Sequence, residues 1–225
     1  CIVPIVQDYC RLIQPGQSIL EIGCGAWSPI LERARACGAR YEGIDTDASY
    51  YGRPTVATRI ENLASLSFPD ADFDFVMGNQ CMEHWGEFGC SLSWGLLQAF
   101  RVCKPNGWVL MNVPIHFHGT KEFVHGDLNR LRKLLEPFSS TIEFTSWRSP
   151  ASPLEEYHPH PHFWALRNQP AYVLDIRAQR NKSLPTNIAN RTWGGMRIQR
   201  WLNYSFSFNL YRLFQKLGFL PCELD

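Results

Sequence analysis

Between about residues 18 and 113, short apolar runs of strand length alternate with stretches whose apolar residues recur every three or four positions. This is the pattern of strand-helix-strand units feeding a parallel sheet. The first run, Ser18-Ile-Leu-Glu-Ile22, leads through Gly23-Cys-Gly25 into a helical stretch. Ser28 suits its N-cap, Pro29 its first position and Gly38 the left-handed residue that ends it. A second strand over 40–44 ends at Asp45. A third is predicted over 56–60, running into Glu61-Asn62-Leu63, and a fourth over 73–77, running into Gly78-Asn79. Residues 91–103 read as a helix stopped by Lys104-Pro105-Asn106-Gly107, because Pro and Gly both break helices, and a fifth strand follows over 108–113. The fold class is α/β.

Past residue 120 the pattern loosens. Residues 127–135 are helical by period, 141–147 and 171–177 are strand-like, and the proline-rich stretch 149–170 reads as one long loop. Two segments, 131–144 and 213–220, compete for the helix and strand that follow the fifth strand. We divide the chain into a domain over 1–180 and a C-terminal extension over 181–225.

With 225 residues, 45% of them hydrophobic and 19% charged, the chain can bury one sizeable core. A net charge of +1 excludes a globally basic nucleic-acid coat protein. The charge is unevenly spread, however: residues 177–216 hold eight basic side chains and no Asp or Glu, interleaved with Trp193, Trp201, Tyr204, Phe206, Phe208, Tyr211 and Phe214. Aromatic stripes are usually core, so this extension is expected to dock on its own domain or in a homodimer, ahead of nucleic acid or an anionic membrane surface. No apolar run approaches the roughly 18 residues of a membrane span, and the start lacks a signal-peptide pattern, which predicts a cytoplasmic protein. The eight cysteines form no Cys-x-x-Cys pair, so reduced thiols are expected. Because the sequence opens on Cys1, it is expected to be an excerpt of a longer polypeptide that can carry flanking domains.

A strand that ends in glycines and opens a helix lets backbone approach a ligand closely, and an acid at the tip of the next strand can accept hydrogen bonds from vicinal ribose hydroxyls. The third glycine of a dinucleotide fingerprint is replaced by Ser28, which argues against NAD. Four motifs occur in order: Ile19-Leu-Glu-Ile-Gly-Cys-Gly25, Tyr41-Glu-Gly-Ile-Asp45, Leu66-Ser-Phe-Pro-Asp-Ala-Asp-Phe-Asp-Phe-Val76 running to Met82-Glu-His84, and Phe100-Arg-Val-Cys-Lys-Pro-Asn-Gly107. Through them the chain resembles the class I S-adenosylmethionine-dependent methyltransferases, in their small-molecule branch, over roughly residues 15–115. The resemblance implies a doubly wound, Rossmann-like, mostly parallel sheet of seven strands with the last antiparallel. It also implies S-adenosylmethionine as cofactor. On this resemblance Gly23 and Gly25 line the amino-acid part of the cofactor with Glu21 organising the loop, Asp45 holds the ribose, Asn62 and Leu63 frame the adenine, and Asn79 offers backbone near the methionine part. Asn62 stands where the family often has Asp, and Asn106 where it often has Gly.

Methyl transfer from a sulfonium is an in-line displacement that needs an aligned acceptor, excluded water and, for a hydroxyl acceptor, a base. Residues after the fourth and fifth strands are placed for this: His116 is the first candidate base, followed by His118 and His84, with Asp127 as an acidic partner that can orient an imidazole. His158, His160 and His162 alternate in a proline-forced extended segment, which reads as a substrate cover in preference to a metal site, so no metal is expected. The reading is O-methylation of a small polar acceptor such as a sugar. The rivals are an RNA-directed methyltransferase using the basic extension and a non-catalytic binding protein on the same fold.

Overall fold

The computed structural model describes residues 3–50, 52–115, 122–123, 127–146 and 172–191. Helix α1 (Val3–Leu12) precedes β1 (Ser18–Ile22), α2 (Pro29–Cys37) and β2 (Arg40–Asp45). A hairpin of β3 (Ser49–Tyr50) and β4 (Arg53–Pro54) comes next, then β5 (Arg59–Ile60), a 3-10 turn (Leu63–Ser65) and β6 (Phe73–Asn79). A second 3-10 segment (Met82–Phe88) leads to α3 (Leu92–Val102), β7 (Cys103–Ile115), α4 (Leu128–Leu135), β8 (Ile142–Ser146) and β9 (Tyr172–Gln179).

Among the described residues seven strands form one sheet in the order β5-β2-β1-β6-β7-β9-β8. β1, β2, β5, β6 and β7 run parallel, and β9 is antiparallel to both β7 and β8. Side chains alternate across each strand, so the central strands feed two cores. Ile19, Phe75, Met77, Leu110 and Val173 pack with Ile5, Val6 and Tyr9 of α1 and Ile30 and Ala34 of α2. Leu20, Val76, Val109, Leu174 and Ile176 pack with Leu96, Ala99 and Phe100 of α3 and Leu131 and Leu135 of α4. Phe100 stacks on Phe138 at 4.8 Å, and each such fully buried ring is worth about 1.5–3 kcal/mol over an exposed one. This is the doubly wound sheet expected, with helices on both faces.

The α2 prediction holds in detail. Ser28 Oγ accepts the Leu31 N–H at 3.0 Å, Pro29 opens the helix, and Gly38 ends it at φ 73°. Of the two candidates for the closing unit, 131–144 is the one the described residues contain, as α4 and β8. Residues 213–220 lie outside them. The third strand is shorter than predicted. Val56 N–H goes to Gly25 O at 2.8 Å and Thr58 N–H to Gly43 O at 2.8 Å, so only Arg59 and Ile60 are left to pair as strand. The turn expected at 104–107 is instead a bulge inside β7. Asn106 adopts φ 64°, its N–H reaches Arg180 O at 2.8 Å, and Arg180 N–H returns to Gly107 O at 2.9 Å, which keeps the kink within the ladder.

The first residues of the extension run along the domain. Asn181 Oδ1 accepts Ser140 N–H at 2.8 Å, Lys182 Nζ donates to Glu136 O at 2.7 Å, Leu184 and Ile188 pack on the core, and Asn190 bonds both Gly89 O and Ser91 N–H. Residues 192–225, with most of the basic aromatic segment, lie outside the described residues. Cys10, Cys24, Cys37, Cys81, Cys90 and Cys103 carry free thiols. No helix among the described residues is long and apolar enough to cross a membrane.

Candidate functional site

The parallel strands present their C-terminal ends on one edge, where β1, β2 and β6 hand the chain to loops. At the tip of β1, Gly23 (φ 69°) and Gly25 (φ 61°) both adopt left-handed backbone that disfavours any side chain. A Cβ at Gly23 would lie 2.7 Å from Cys81 Cβ, so the loop fits against the start of the 3-10 segment only as glycine. Gly23 N–H donates to Ile44 O at 2.8 Å, and Gly25 O accepts from Thr55 Oγ1 at 2.6 Å and Val56 N–H at 2.8 Å. The loop is therefore held by β2 and by the segment that leads to β5.

Glu21 lies beneath the loop. Its carboxylate is 3% exposed and accepts hydrogen bonds from Ser28 Oγ and from Tyr41 OH, the latter at 2.6 Å. Ser28 thus ties β1 to the first turn of α2. Burial pushes the Glu21 carboxyl up to about 7, against the lowering effect of those two hydroxyls. Between the ordinary carboxylate range and about 7, the folded chain holds a proton that the unfolded chain has released, so stability falls as pH rises through that window. Glu21→Gln is expected to flatten this fall when thermal midpoints are compared between pH 5 and pH 8. Glu83, also pushed up to about 7 by burial, and Asp175, raised by burial as well, add to the same slope. An unchanged slope in the variant would place the titration elsewhere.

Asp45 ends β2 beside the loop. Its Oδ2 accepts Gly25 N–H at 2.9 Å and its Oδ1 accepts Thr46 N–H at 2.8 Å. A carboxylate has about four lone-pair sites, so two are left for a diol. Asn62 follows β5: Oδ1 caps the turn by accepting Ala64 N–H at 2.8 Å, and Nδ2 donates to Phe88 O at 2.7 Å. Its amide is occupied with backbone at both ends, and the frame it offers is the placement of the buried Leu63. Asn79 closes β6 with a buried Oδ1 that has no hydrogen-bond partner among the described residues, followed by Gln80 at φ 48°. A glycine cradle, a carboxylate with spare acceptors and an unsatisfied carbonyl oxygen at one sheet edge fit S-adenosylmethionine.

The catalytic candidates are only partly brought together. His84 lies on the 3-10 segment with Nδ1 3.0 Å from Glu87 Oε1 and Nε2 3.9 Å from Glu83 Oε1. Burial works against its charged form, yet the Glu87 hydrogen bond and the two nearby carboxylates outweigh this and raise its pKa. Through Glu87 the imidazole ties the 3-10 segment together. Asp127 is the N-cap of α4, accepting Arg130 N–H at 3.0 Å, and the imidazoles it was expected to orient lie outside the described residues. His116 and His118 follow β7, which ends at Ile115, and they lie outside the described residues, as do His158, His160 and His162. Among the described residues no cluster of His, Cys, Asp or Glu is arranged to hold a metal.

Sequence reasoning missed Tyr41 and Cys81. The Tyr41 signal was present as Tyr-x-Gly in β2, because a Cβ at Gly43 would lie 2.5 Å from Tyr41 OH, and only glycine lets the ring lie across to Glu21. Cys81 had no such signal, since its packing on Gly23 depends on how the chain turns after β6.

The sequence profile of a methyltransferase-domain family matches residues 4–223. A probable S-adenosylmethionine-dependent methyltransferase of Mycolicibacterium smegmatis is 34% identical over 107 residues, covering 44% of this chain and 38% of that protein. The sterol 24-C-methyltransferase of Yarrowia lipolytica is 29% identical over 106 residues, covering 42% of this chain and 27% of that protein. The chain thus spans well under half the length of these curated relatives. In fold it is similar to phosphoethanolamine N-methyltransferase 2 of Haemonchus contortus, solved with S-adenosyl-L-methionine, at TM-score 0.55 and 15% identity over 80% of this chain and 53% of that one. Profile, relatives, strand order and glycine cradle agree, and the chain belongs to the class I methyltransferases, with S-adenosylmethionine as its cofactor.

Proposed function

We propose that the chain methylates an oxygen of a small polar acceptor, a sugar or saccharide precursor, in the cytoplasm. The observation that supports this reading is that β7 lies beside β6 and ends at Ile115 on the sheet edge that carries the glycine cradle, and that His116 is the next residue in sequence. A base there can take the hydroxyl proton as the oxygen attacks. When bound, the cofactor supplies a methyl group activated by positive charge on sulfur. The chain's own part is positioning: the glycine loop admits backbone contact, Asp45 accepts from vicinal hydroxyls, and Leu63 walls the adenine side. The many His, Trp and Arg side chains after residue 115 suit polyhydroxylated and anionic groups.

The second reading is a carbon acceptor, favoured by the sterol 24-C-methyltransferase relatives. Two measurements test these readings in sequence. Calorimetric titration with S-adenosylhomocysteine is expected to give one site, weakened about tenfold or more by Asp45→Ala, because a bidentate acceptor of two hydroxyls is lost. A methyl-transfer screen then sets sugars against sterols and prenyl diphosphates. Turnover of sugars supports the first reading, and turnover of the isoprenoids alone replaces it with the second.

A further inference from the structure

Asn106 is the one Asn of the sequence that is followed by Gly, and it stands in the bulge of β7 at φ 64°. Left-handed backbone suits Gly and, among residues with a side chain, Asn. The residue is exposed, and among the described residues its side-chain amide makes no hydrogen bond. Its backbone, by contrast, is held. Asn106 N–H donates to Arg180 O at 2.8 Å, Arg180 N–H donates to Gly107 O at 2.9 Å, and Gln179 Nε2 donates to Asn106 O at 3.1 Å. The first two bonds clasp the peptide bond between Asn106 and Gly107. Arg180 is itself anchored, its Nη1 donating to Arg101 O at 3.1 Å and to Cys103 O.

The amide carbon of an Asn side chain can close a five-membered ring with the peptide nitrogen that follows it. Gly shields that nitrogen least, because it has no Cβ. We propose that Asn106 is a site of spontaneous deamidation and that the isoaspartyl product opens the clasp between β7 and Arg180. In the first step Gly107 N forms a bond to Asn106 Cγ, the bond from Cγ to Nδ2 breaks, and ammonia leaves carrying the peptide proton. Water then opens the cyclic imide at one of its two carbonyls. Opening at Cγ leaves Asp at position 106 on the original chain path. Opening at the backbone carbonyl sends the chain through Cβ and Cγ, one atom longer, and frees the former backbone carbonyl as a carboxylate. Asp tolerates left-handed backbone much as Asn does, so the first product keeps the clasp. The second inserts its extra atom between the two clasp bonds, and both cannot be kept. The change lies in the N-terminal part of β7, whereas the other end of the strand, at Ile115, borders the cofactor edge. Cofactor binding is therefore expected to outlast it.

The test ages the folded chain at pH 8 and maps its peptides by mass, beside the folded Asn106→Gly variant and wild type unfolded in urea. A gain of one mass unit at Asn106, with isoaspartyl and aspartyl peptides resolved by chromatography, is expected in folded wild type and absent from the variant. The isoaspartyl fraction is expected to exchange the Arg180 amide hydrogen about tenfold faster and to melt about 2–4 °C lower, the size of one lost hydrogen bond in a chain of this length. It should retain its affinity for S-adenosylhomocysteine. Asn106→Asp, which adds the charge without the extra atom, is expected to keep the wild-type exchange rate at Arg180. Conversion at Asn106 confined to the unfolded chain would show that the clasp protects the site and would overturn the proposal, as would its absence from both samples. Equal Arg180 exchange in the isoaspartyl and unmodified proteins would overturn the structural consequence.

Discussion

Gly23→Ala is expected to remove measurable cofactor binding, a loss of about a hundredfold or more, and to lower stability by about 1–3 kcal/mol. Two effects add. The residue sits at φ 69°, where an L side chain is strained, and its new Cβ would lie 2.7 Å from Cys81 Cβ and 4.0 Å from Cys81 Cα. Cys81 cannot yield easily, because it leads the 3-10 segment whose Phe88 carbonyl is held by Asn62 Nδ2 at 2.7 Å. The loop must move instead, taking with it the Gly23 N–H bond to Ile44 O. Gly25→Ala provides the comparison. It carries similar strain at φ 61°, but its Cβ would meet only Tyr50 Cδ1 at 3.9 Å, so a loss several-fold smaller is expected. Calorimetric titration with S-adenosylhomocysteine beside thermal denaturation reads both quantities. Equal losses for the two variants would show that backbone strain, and not the contact with Cys81, sets the effect.

His116→Ala is expected to lower kcat about a hundredfold with cofactor affinity unchanged. On the proposed oxygen acceptor the hydroxyl proton must leave as the oxygen attacks, and a base contributes about a hundredfold or more to that step. The pH profile of kcat/KM should lose its imidazole limb in the variant, a change that simple misplacement of the acceptor does not produce. Full activity in His116→Ala would move the acceptor to a class that needs no base, such as a neutral amine. His84→Ala serves as the comparison variant, since its ring is bound to Glu87 and its pKa is raised by that hydrogen bond and by the Glu83 and Glu87 carboxylates.

The parts of the fold readable from sequence are those in which local chemistry and tertiary packing agree. The α2 boundaries were legible because Ser28, Pro29 and Gly38 each serve a backbone need at a helix end, and the structure uses all three. The third strand was overestimated because Val56 and Thr58 carry the residue types of a strand, yet their N–H groups are claimed by Gly25 and Gly43. The bulge at Asn106 depends on Arg180, which is remote in sequence, and no local signal encodes a partner at that distance. In the site, Glu21, Gly23, Gly25 and Asp45 were legible as a motif and stand together at one sheet edge. The backbone contacts of Asn62 were not legible, because a short amide at a turn bonds whichever backbone groups the fold brings to it.

The placement of β9 between β7 and β8 bears on how the molecule comes into being. β7 is a 13-residue strand, and its second neighbour is supplied by residues 172–179, long after β7 itself has been synthesised. At ribosomal speeds of roughly 5–20 residues per second, that interval lasts on the order of several seconds. Throughout it the emerging polypeptide presents a long row of open backbone donors and acceptors, many flanked by apolar side chains such as Val109, Met111 and Val113. The nascent chain is thus open to mispairing with its neighbours on a polysome, and its yield in cells should be governed by chaperone supply during translation more than by the stability of the finished sheet.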